Sequence, residues 1–426
     1  MITVNLFQDL TRAVRGFVTN GGNTDKVTTP LAVHPQSNRT EENDMTLVAP
    51  PAARLGATFA DIGTPSLLIE LDAFEANLRG MAEFTASCGV ALRPHAKAHK
   101  SVEIARRQVA AGAVGVCCQK LSEAYPFAAA GIESIHVSNE FVGADKVAMA
   151  VELAAHTGLS VCVDSLPQVA VLGVAAAEAG VRIDVLPEID VGQQRCGVTR
   201  SDDLLRLVDA IAQHAALRFG GIQAYHGGAQ HIAPWQARGE AAKLAAQRAS
   251  EHVSALRARG VDVPVVTGGG TGTVEFDARS GVYTEVQPGS YVFGDGEYGS
   301  IEWAAFDRPR QSLFILSTIM SATRPGIAVC DVGLKGLAVD SGLPREVTAL
   351  SRVEMPGLAY VGANDEHGML NVAGGLERGT EPLIGQRVLI VPGHCDPTVN
   401  LYDEFVCVRA AHVEALWKVD ARGLSR

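Results

Sequence analysis

The chain has 426 residues, of which 47% are hydrophobic and 19% are charged, and its formal net charge is −11. This length exceeds what one hydrophobic core usually serves, so we expect two domains. The acidic balance disfavours nucleic acid and anionic membranes as partners, because both favour clustered lysine and arginine.

The lengths of the apolar runs and the pattern of cysteines indicate the cellular compartment of the protein. No apolar run approaches the roughly 20 residues of a membrane span, and no signal-peptide pattern opens the chain. The eight cysteines include the adjacent Cys117 and Cys118 in an apolar segment, and no CxxC pair is present. In a chain of this size they indicate buried thiols rather than a disulfide framework. We therefore expect a cytoplasmic protein.

Residues 1–58 are poorly patterned, with polar, glycine-rich and proline-rich stretches. This composition is typical of a flexible leader. We expect the part from about residue 45 onward to pack on the folded body.

Residues 59–309 alternate between short apolar strands and alanine-rich helical patterns. This alternation predicts an α/β fold, and its length favours a parallel (β/α)8 TIM-like barrel over an open sheet, since no GxGxxG opens the first unit. Helices are predicted at 101–111, 143–155, 167–179, 201–214 and 234–259. The predicted strands are 90–93, 114–119, 134–138, 160–165, 182–190, 219–225, 263–267 and 284–291.

Residues 310–426 have a different sequence pattern. Strand-like runs occur at 313–320, 326–332, 387–392 and 404–410, without long helices between them. This pattern predicts a second, mainly β domain.

The octet RPHAKAHK at 93–100 follows the first barrel strand and contains Lys97 between His95 and His99. Barrel active sites lie at the C-terminal ends of the strands. A partly desolvated lysine with two cationic neighbours has its charged form disfavoured and becomes nucleophilic. Taken alone, the octet is also compatible with a solvated loop or with a metal site on His95 and His99.

Two further strand ends carry polar groups. Arg195 follows the fifth strand, and Tyr225 and His231 follow the sixth. The seventh strand is followed by Gly268, Gly269, Gly270 and Thr271. Consecutive glycines let backbone N–H groups converge on an anion, and barrels often place phosphate at this position, although a flexible turn is the simpler local interpretation. A lysine and a phosphate site at one barrel mouth suggest pyridoxal 5′-phosphate (PLP).

His394 and Asp396 lie in the segment PGHCDPTVN near the end of the sequence. In an extended segment they project to one face and Cys395 to the other, which offers an imidazole and a carboxylate to a metal ion. A carboxylate favours the harder ions Mn²⁺ and Mg²⁺, with Zn²⁺ and Ca²⁺ as alternatives. A turn stabilised by Asp396 before Pro397 explains the same residues.

Eight motifs in one order carry a resemblance that extends from about residue 64 onward. The chain resembles the D-threonine aldolases, within the fold-type III PLP enzymes that include alanine racemase and the D-serine dehydratase group. The motifs that carry the resemblance lie at 93–100, 116–123, 190–198, 223–226, 268–272, 283–287, 364–368 and 393–398.

The resemblance implies a role for each candidate residue. Lys97 is expected to bind PLP through a Schiff base, with His95 beside it. Arg195 and Tyr225 are expected to contact the cofactor ring, and the loop 268–271 to hold the phosphate. His394 and Asp396 would bind a divalent cation. His231 matches the histidine expected near the substrate hydroxyl, as a candidate general base.

The implied activity is retro-aldol cleavage of D-threonine or D-allothreonine to glycine and an aldehyde. Related dehydratases tend to carry cysteine at the second metal-ligand position, so Asp396 favours an aldolase. The alternatives on the same scaffold are a β-hydroxyaspartate aldolase and a D-serine or 3-hydroxyaspartate dehydratase. A non-enzymatic PLP homeostasis protein is a distant alternative, because such proteins lack a second domain. The resemblance also implies a homodimer, in which residues 365–368 approach the partner's barrel mouth.

Overall fold

The computed structural model describes residues 50–349, 357–373 and 383–426. Most of the predicted leader, residues 1–49, lies outside this part of the chain. Residues 50–58 pack on the body as expected: Ala53 is buried, and the Gly56 N–H donates to the carbonyl of Val413 at 2.8 Å.

The first strand, β1 (Ser66–Glu70), belongs to the second domain rather than to the barrel. It pairs antiparallel with Leu313–Arg324 and parallel with Glu404–Arg409. The predicted boundary at residue 59 is therefore corrected, since it placed this strand in the barrel. The segment SLLIE has the pattern of a buried barrel strand, and its sequence gives no sign of partners more than 200 residues away.

The barrel contains nine short parallel strand segments. They form eight staves, where a stave is one strand position around the ring. Isolated parallel bridges from His95 to Cys117 and from Glu188 to Gln223 join its two sheets into a closed ring. The segments are β2 (Ala91–Leu92), β3 (Val116–Cys118), β4 (Ser134–Val137), β5 (Gly158–Val163), β6 (Ile183–Pro187), β7 (Leu217–Phe219), β8 (Ile222–Ala224), β9 (Val266–Gly268) and β10 (Glu285–Val286). The predicted (β/α)8 fold class is confirmed.

The sixth stave is interrupted between β7 and β8 at Gly220 and Gly221. Gly221 has φ +133°, and a Cβ there would overlap the carbonyl oxygen of Val265 on the next strand. Only glycine permits this close approach. The interruption shifts the chain from β6 to β9, so that β8 carries its C-terminal residues to the barrel mouth.

Helices cover the outside of the barrel. They are α1 (Leu71–Cys88), α2 (Val102–Ala110), α3 (Leu121–Ala129), α4 (Ala144–Ala154), α5 (Leu166–Ala179), α6 (Ser201–Ala212), α7 (Trp235–Ala258) and the short α8 (Val274–Asp277). Helices α2 and α4 to α7 match the predicted ones to within two residues, whereas α1 and α3 were not predicted. The helix bounds have local causes: α5 begins with a capping box from Ser165 to Gln168 and ends at Gly180, whose φ is +66°.

The second domain is a nine-stranded sheet in the order β12-β15-β14-β13-β16-β11-β1-β17-β18. Because β12 also pairs with β11, six of these strands close into a small barrel. The strands are β11 (Leu313–Arg324), β12 (Ile327–Cys330), β13 (Glu346–Ala349), β14 (Leu358–Ala363), β15 (Gly368–Val372), β16 (Arg387–Val391), β17 (Glu404–Arg409) and β18 (His412–Lys418), with helix α9 (Cys395–Val399) after β16.

One hydrophobic core runs through both domains. It includes Leu92 and Ile222 of the large barrel together with Leu313 and Ile390 of the β domain. A second core fills the space between β3–β6 and the helices that cover them. In the described residues, no helix has the length and apolar character needed to cross a membrane.

Candidate active site at the barrel mouth

A cavity of about 340 Å³ opens at the C-terminal ends of the barrel strands. Five predicted site residues line it: His95, Lys97, Arg195, Tyr225 and His231. They come from the ends of three different strands, which the closed ring brings together. The remaining lining residues are polar or glycine: Gln119, Ser138, Gln193, Gln223, Gly227, Gly228 and Gln287.

Lys97 lies in a single 3-10 turn, Ala96–Ala98, directly after β2. Its Nζ is 3.5 Å from Oδ2 of Asp396, and 41% of its side chain is exposed, toward the cavity that it lines. Burial alone would lower the pKa of Lys97, but the Asp396 carboxylate outweighs burial and raises that pKa above its ordinary value. The expected disfavouring of the charged amine is therefore wrong.

The two histidines of the octet are not cationic neighbours of Lys97. Burial lowers the pKa of His95 well below its ordinary value and that of His99 to about 4. His95 Nε2 contacts Ser138 Oγ at 3.2 Å, and its Nδ1 accepts from the Lys97 N–H at 3.4 Å. Neutral His95 thus holds the turn that carries Lys97, which replaces the predicted electrostatic role.

Arg195 and Tyr225, which both line the cavity, contact each other. The guanidinium carbon lies 5.6 Å from the centre of the tyrosine ring, within the range of a cation–π contact. Arg195 also lies 3.9 Å from Oε1 of Glu188. This pair presents a planar cation and a phenol to the cavity.

A group of acidic side chains lies behind Arg195. Burial, together with Glu140, raises the pKa of Glu188 to about 9, so this carboxyl is protonated at neutral pH. Within the described ranges, Glu140, Asp164 and Cys196 are the only three His, Cys, Asp or Glu residues close enough together to share an ion. None of them lines the cavity. Because Glu188 is neutral, the charge of Arg195 remains available to the cavity.

The glycine-rich loop follows β9 as predicted. Gly268, Gly269, Gly270 and Thr271 are buried, and none of them lines the cavity in this structure. The Thr271 hydroxyl is buried and has no hydrogen-bond partner. A buried hydroxyl without a partner is costly and is unusual in a protein interior. The loop therefore offers a polar group that an added anion would satisfy.

The segment with His394 and Asp396 lies beside Lys97. Only His394 is extended, because α9 begins at Cys395, so the extended geometry predicted through residue 396 is wrong. His394 Nδ1 is 2.7 Å from Asp340 Oδ2, and Asp396 Oδ1 accepts from Ser290 Oγ at 3.1 Å. An imidazole held at Nδ1 by a carboxylate leaves Nε2 for a metal ion, as in many metal sites.

Glu297 is a site residue that the sequence analysis missed. His231 ends the 3-10 helix Gly227–His231, and its Nδ1 lies 2.8 Å from Glu297 Oε1. Glu297 follows the last barrel strand by eleven residues, in a stretch without a recognisable motif. The structure alone shows that this carboxylate reaches the candidate base.

The chain matches two family models. Residues 69–297 match the model described as alanine racemase, N-terminal domain, and residues 312–408 match the one described as putative serine dehydratase domain. The first match spans most of the large barrel, and the second spans most of the β domain.

Relatives with similar sequences cover nearly the whole described chain. The chain is 47% identical to a D-threonine aldolase of Arthrobacter sp., over 89% of this chain and 98% of that protein. It is 40% identical to a 3-hydroxy-D-aspartate aldolase of Paracoccus denitrificans, over 86% of this chain and 94% of that protein. The crystal structure of D-threonine aldolase from Filomicrobium marinum superimposes with a TM-score of 0.82 at 43% identity, covering 88% of this chain and 99% of that one.

Proposed function

The chain belongs to the fold-type III PLP enzymes with an alanine racemase N-terminal barrel, and within them to the D-threonine and 3-hydroxy-D-aspartate aldolases. On that premise we propose that it is a PLP- and divalent-metal-dependent aldolase that cleaves D-β-hydroxy-α-amino acids, D-threonine and D-allothreonine, to glycine and an aldehyde. The 3.5 Å approach of Lys97 Nζ to Asp396 Oδ2 carries this proposal, because it puts a carboxylate suited to a metal ion beside a cavity-lining lysine suited to the cofactor.

The residues around the cavity fit PLP. Lys97 would supply the amine that binds the aldehyde, and Arg195 and Tyr225, which line the same cavity, would contact the ring. The unpartnered hydroxyl of Thr271, in a loop with Gly268 to Gly270, fits the phosphate. When bound, PLP supplies an electron sink for the negative charge left on Cα after the carbon–carbon bond breaks.

The pair His394 and Asp396 fits a divalent cation, most readily Mn²⁺ or Mg²⁺ given the carboxylate. Two protein ligands leave coordination positions for water and for the substrate hydroxyl, whose acidity such an ion would increase. Asp340 orients the His394 ring through the 2.7 Å contact at Nδ1.

Residues of the chain itself carry out the proton transfers and hold the cofactor. We assign to His231 the removal of the proton from the β-hydroxyl at its Nε2, which makes no hydrogen bond in the described residues. Lys97 lies on the Asp396 side of the cavity, where it can return a proton to Cα of the product glycine. The cation of Arg195 would help to orient the ring.

The charges that line the cavity favour a neutral substituent on the substrate's β-carbon. Among the described residues, Lys97 and Arg195 are the only ammonium and guanidinium groups that line it, and the proposal assigns both to the cofactor. A β-carboxylate would therefore meet no lysine or arginine that is free to pair with it, which is costly in a partly desolvated site. We therefore expect D-threonine to be a better substrate than β-hydroxyaspartate, the substrate named for the Paracoccus relative.

A substrate panel tests the proposal. Purified enzyme with PLP and Mn²⁺ is assayed with D-threonine, D-allothreonine, D-β-hydroxyaspartate and D-serine, with and without a chelator. We expect glycine and acetaldehyde from the first two and loss of activity after chelation. Equal or faster cleavage of β-hydroxyaspartate would overturn the threonine preference, and pyruvate from D-serine without glycine would overturn aldol chemistry. Full activity after chelation would remove the metal from the proposal.

Two finer features are part of the proposal. All eight cysteines are free, which agrees with a reducing cytoplasm. We also propose a homodimer, in which the exposed turn at residues 365–367 between β14 and β15 is open to a partner. Light scattering on the purified protein at several concentrations tests the dimer.

A further inference from the structure

The side chain of Glu297 connects the candidate base to the second domain. Its Oε1 lies 2.8 Å from His231 Nδ1, and only 19% of its side chain is exposed. Its Oε2 is buried. The short contact of this carboxylate is with the His231 imidazole, and the Ser341 hydroxyl and His394 also lie close enough to stabilise its charge.

We propose that Glu297 is a positioning residue that fixes the ring orientation and tautomer of His231. This inference rests on the proposed function, in which His231 takes the proton from the β-hydroxyl. A neutral histidine carries one N–H, and a carboxylate at Nδ1 places that hydrogen on Nδ1. Nε2 then carries the lone pair and faces the cavity as the proton acceptor. The same carboxylate stabilises the imidazolium formed after proton transfer.

Packing holds the ring in the same orientation. Tyr298, the next residue, has its ring centre 5.8 Å from that of His231 at an interplanar angle of 39°. Tyr298 is itself buried, and its N–H donates to Asp295 Oδ1 at 2.8 Å. The His231 ring, 43% exposed on its side chain, is thus supported on one edge and one face while the remaining edge is open.

The backbone of the same segment is tied to the metal-ligand segment. The N–H groups of Gly296 and Glu297 donate to the carbonyls of Pro392 and Gly393 at 2.9 and 3.1 Å. Asp295 Oδ2 accepts from the Cys395 N–H at 3.0 Å. Residues 295–298 therefore fix the candidate base and the His394–Asp396 pair relative to each other. Proton removal and hydroxyl binding need this fixed geometry, since small displacements are costly in catalysis.

Steady-state kinetics of the PLP- and Mn²⁺-loaded enzyme with D-threonine tests this role. Glu297→Gln keeps the shape and the acceptor oxygen but removes the charge. Glu302→Gln is the matched control, because Glu302 lies five residues further along the chain and its side-chain carboxylate accepts from the Trp235 N–H at 2.9 Å, a bond that the glutamine oxygen can keep. We expect Glu297→Gln to lower kcat by about 10²-fold, within the range of general-base effects. KM, the cofactor absorbance band and the Mn²⁺ affinity should stay within about twofold, as should every parameter of the control.

A double-mutant cycle separates positioning from general structural support. In a His231→Ala background, Glu297→Gln should change kcat by less than about twofold, because the residue that it orients is gone. An equal loss in both backgrounds, or an unchanged kcat in the single variant, would overturn the inference. If residual activity is too low to compare, the ¹⁵N shifts of the side-chain nitrogens report the tautomer. One histidine must change on Glu297→Gln, and no change would count against the proposal.

The outcomes also distinguish this inference from the proposed function. A wild-type enzyme that does not cleave D-threonine would contradict the proposed function. A wild-type enzyme that cleaves it, with Glu297→Gln equally active, would contradict only the role of Glu297.

Discussion

The Lys97 amine has two separable properties, its charge and its ability to condense with an aldehyde. It lies 3.5 Å from Asp396, so its removal also changes the surroundings of a proposed metal ligand. Lys97→Arg retains a cation beside Asp396 but cannot form the Schiff base. We expect both Lys97→Ala and Lys97→Arg to lose the cofactor absorbance band of the reconstituted enzyme.

Spectra recorded before and after borohydride reduction check this prediction. The arginine variant controls for charge, since it keeps a cation beside Asp396 and should change the Mn²⁺ affinity less than the alanine variant, which removes a positive charge that opposes metal binding. A band that persists in both variants would move the Schiff base to Lys100, whose Nζ is otherwise 2.6 Å from Glu123.

Glu188 affects how stability depends on pH. Burial and Glu140 raise its pKa from 4.5 to about 9 in the folded protein. The folded state therefore holds a proton that the unfolded chain has released between these values. The stabilising contribution of Glu188 is complete below about pH 4.5 and is lost as the pH rises toward about 9.

Glu188→Gln tests that dependence, because glutamine stays neutral at every pH. We expect the variant to gain stability over the wild type as the pH rises from about 5 to 9, by at most about 1.4 kcal/mol per pH unit. Denaturant unfolding of both proteins at several pH values measures the difference. Glu302→Gln is the control, and a difference for Glu188→Gln that does not depend on pH would contradict protonation of Glu188.

Candidate site residues were predictable where a barrel strand precedes them. Lys97, Arg195, Tyr225 and His231 follow strands, and the barrel places strand ends at one mouth. The sequence does not show how neighbours set charge, so the neutral state of His95 and the ion pair of Lys97 with Asp396 were missed. Glu297 lies outside any motif, and its contact with His231 depends on how the second domain packs.

At the scale of elements, the interrupted sixth stave depends on one glycine. Gly221 has φ +133°, and a Cβ there would overlap the Val265 carbonyl. Gly221→Ala should therefore lower the free energy of unfolding by more than about 2 kcal/mol, adding overpacking to backbone strain. Because β8 leads to Tyr225, PLP affinity should fall as well.

Gly260→Ala is the matched control for this change. Gly260 also has a positive φ, +76°, but a Cβ there would meet nothing within 4 Å. The control should lose only about 1 kcal/mol, the cost of a left-handed alanine. Denaturant unfolding of both variants gives the comparison, and equal losses would show that strain rather than close strand approach determines the cost.

The helices were easier to predict than the strands. Helix α6 shows clear apolar periodicity, with Leu204, Leu207, Val208 and Ile211 buried on one face. Barrel strands of two or three residues carry little pattern, and sheet partners are set by distant segments. For this reason β1 was not predicted as a strand, and its residues were placed in the barrel domain although Leu68 pairs with Val406. The strands β13, β14, β15 and β18 were also missed, because each is short and half-exposed or lies at a sheet edge.

At the scale of the whole molecule, the two domains are connected by contacts at several points along the chain. Strand β1 lies in the β-domain sheet and continues directly into α1, which packs on the barrel. Arg409 of β17 is 2.7 Å from Glu75 of α1. Near the other end of the described chain, Asp420 Oδ2 accepts from the Val102 N–H at 2.8 Å and so caps α2, whose own N-cap Ser101 makes no side-chain cap bond.

These contacts between the domains predict a single cooperative unfolding transition for the whole protein. The main core is shared by both domains, so neither can expose its half without exposing the other. Calorimetry should show one transition whose calorimetric and van't Hoff enthalpies agree. Asp420→Ala should lower stability by about 1 kcal/mol through the lost cap, and Asp420→Asn, which can still accept the bond, by less. Both variants should keep one transition. A wild-type protein that melts in two separate steps would contradict the shared core, and would also weaken the expectation that Glu297 transmits geometry from the β domain to His231.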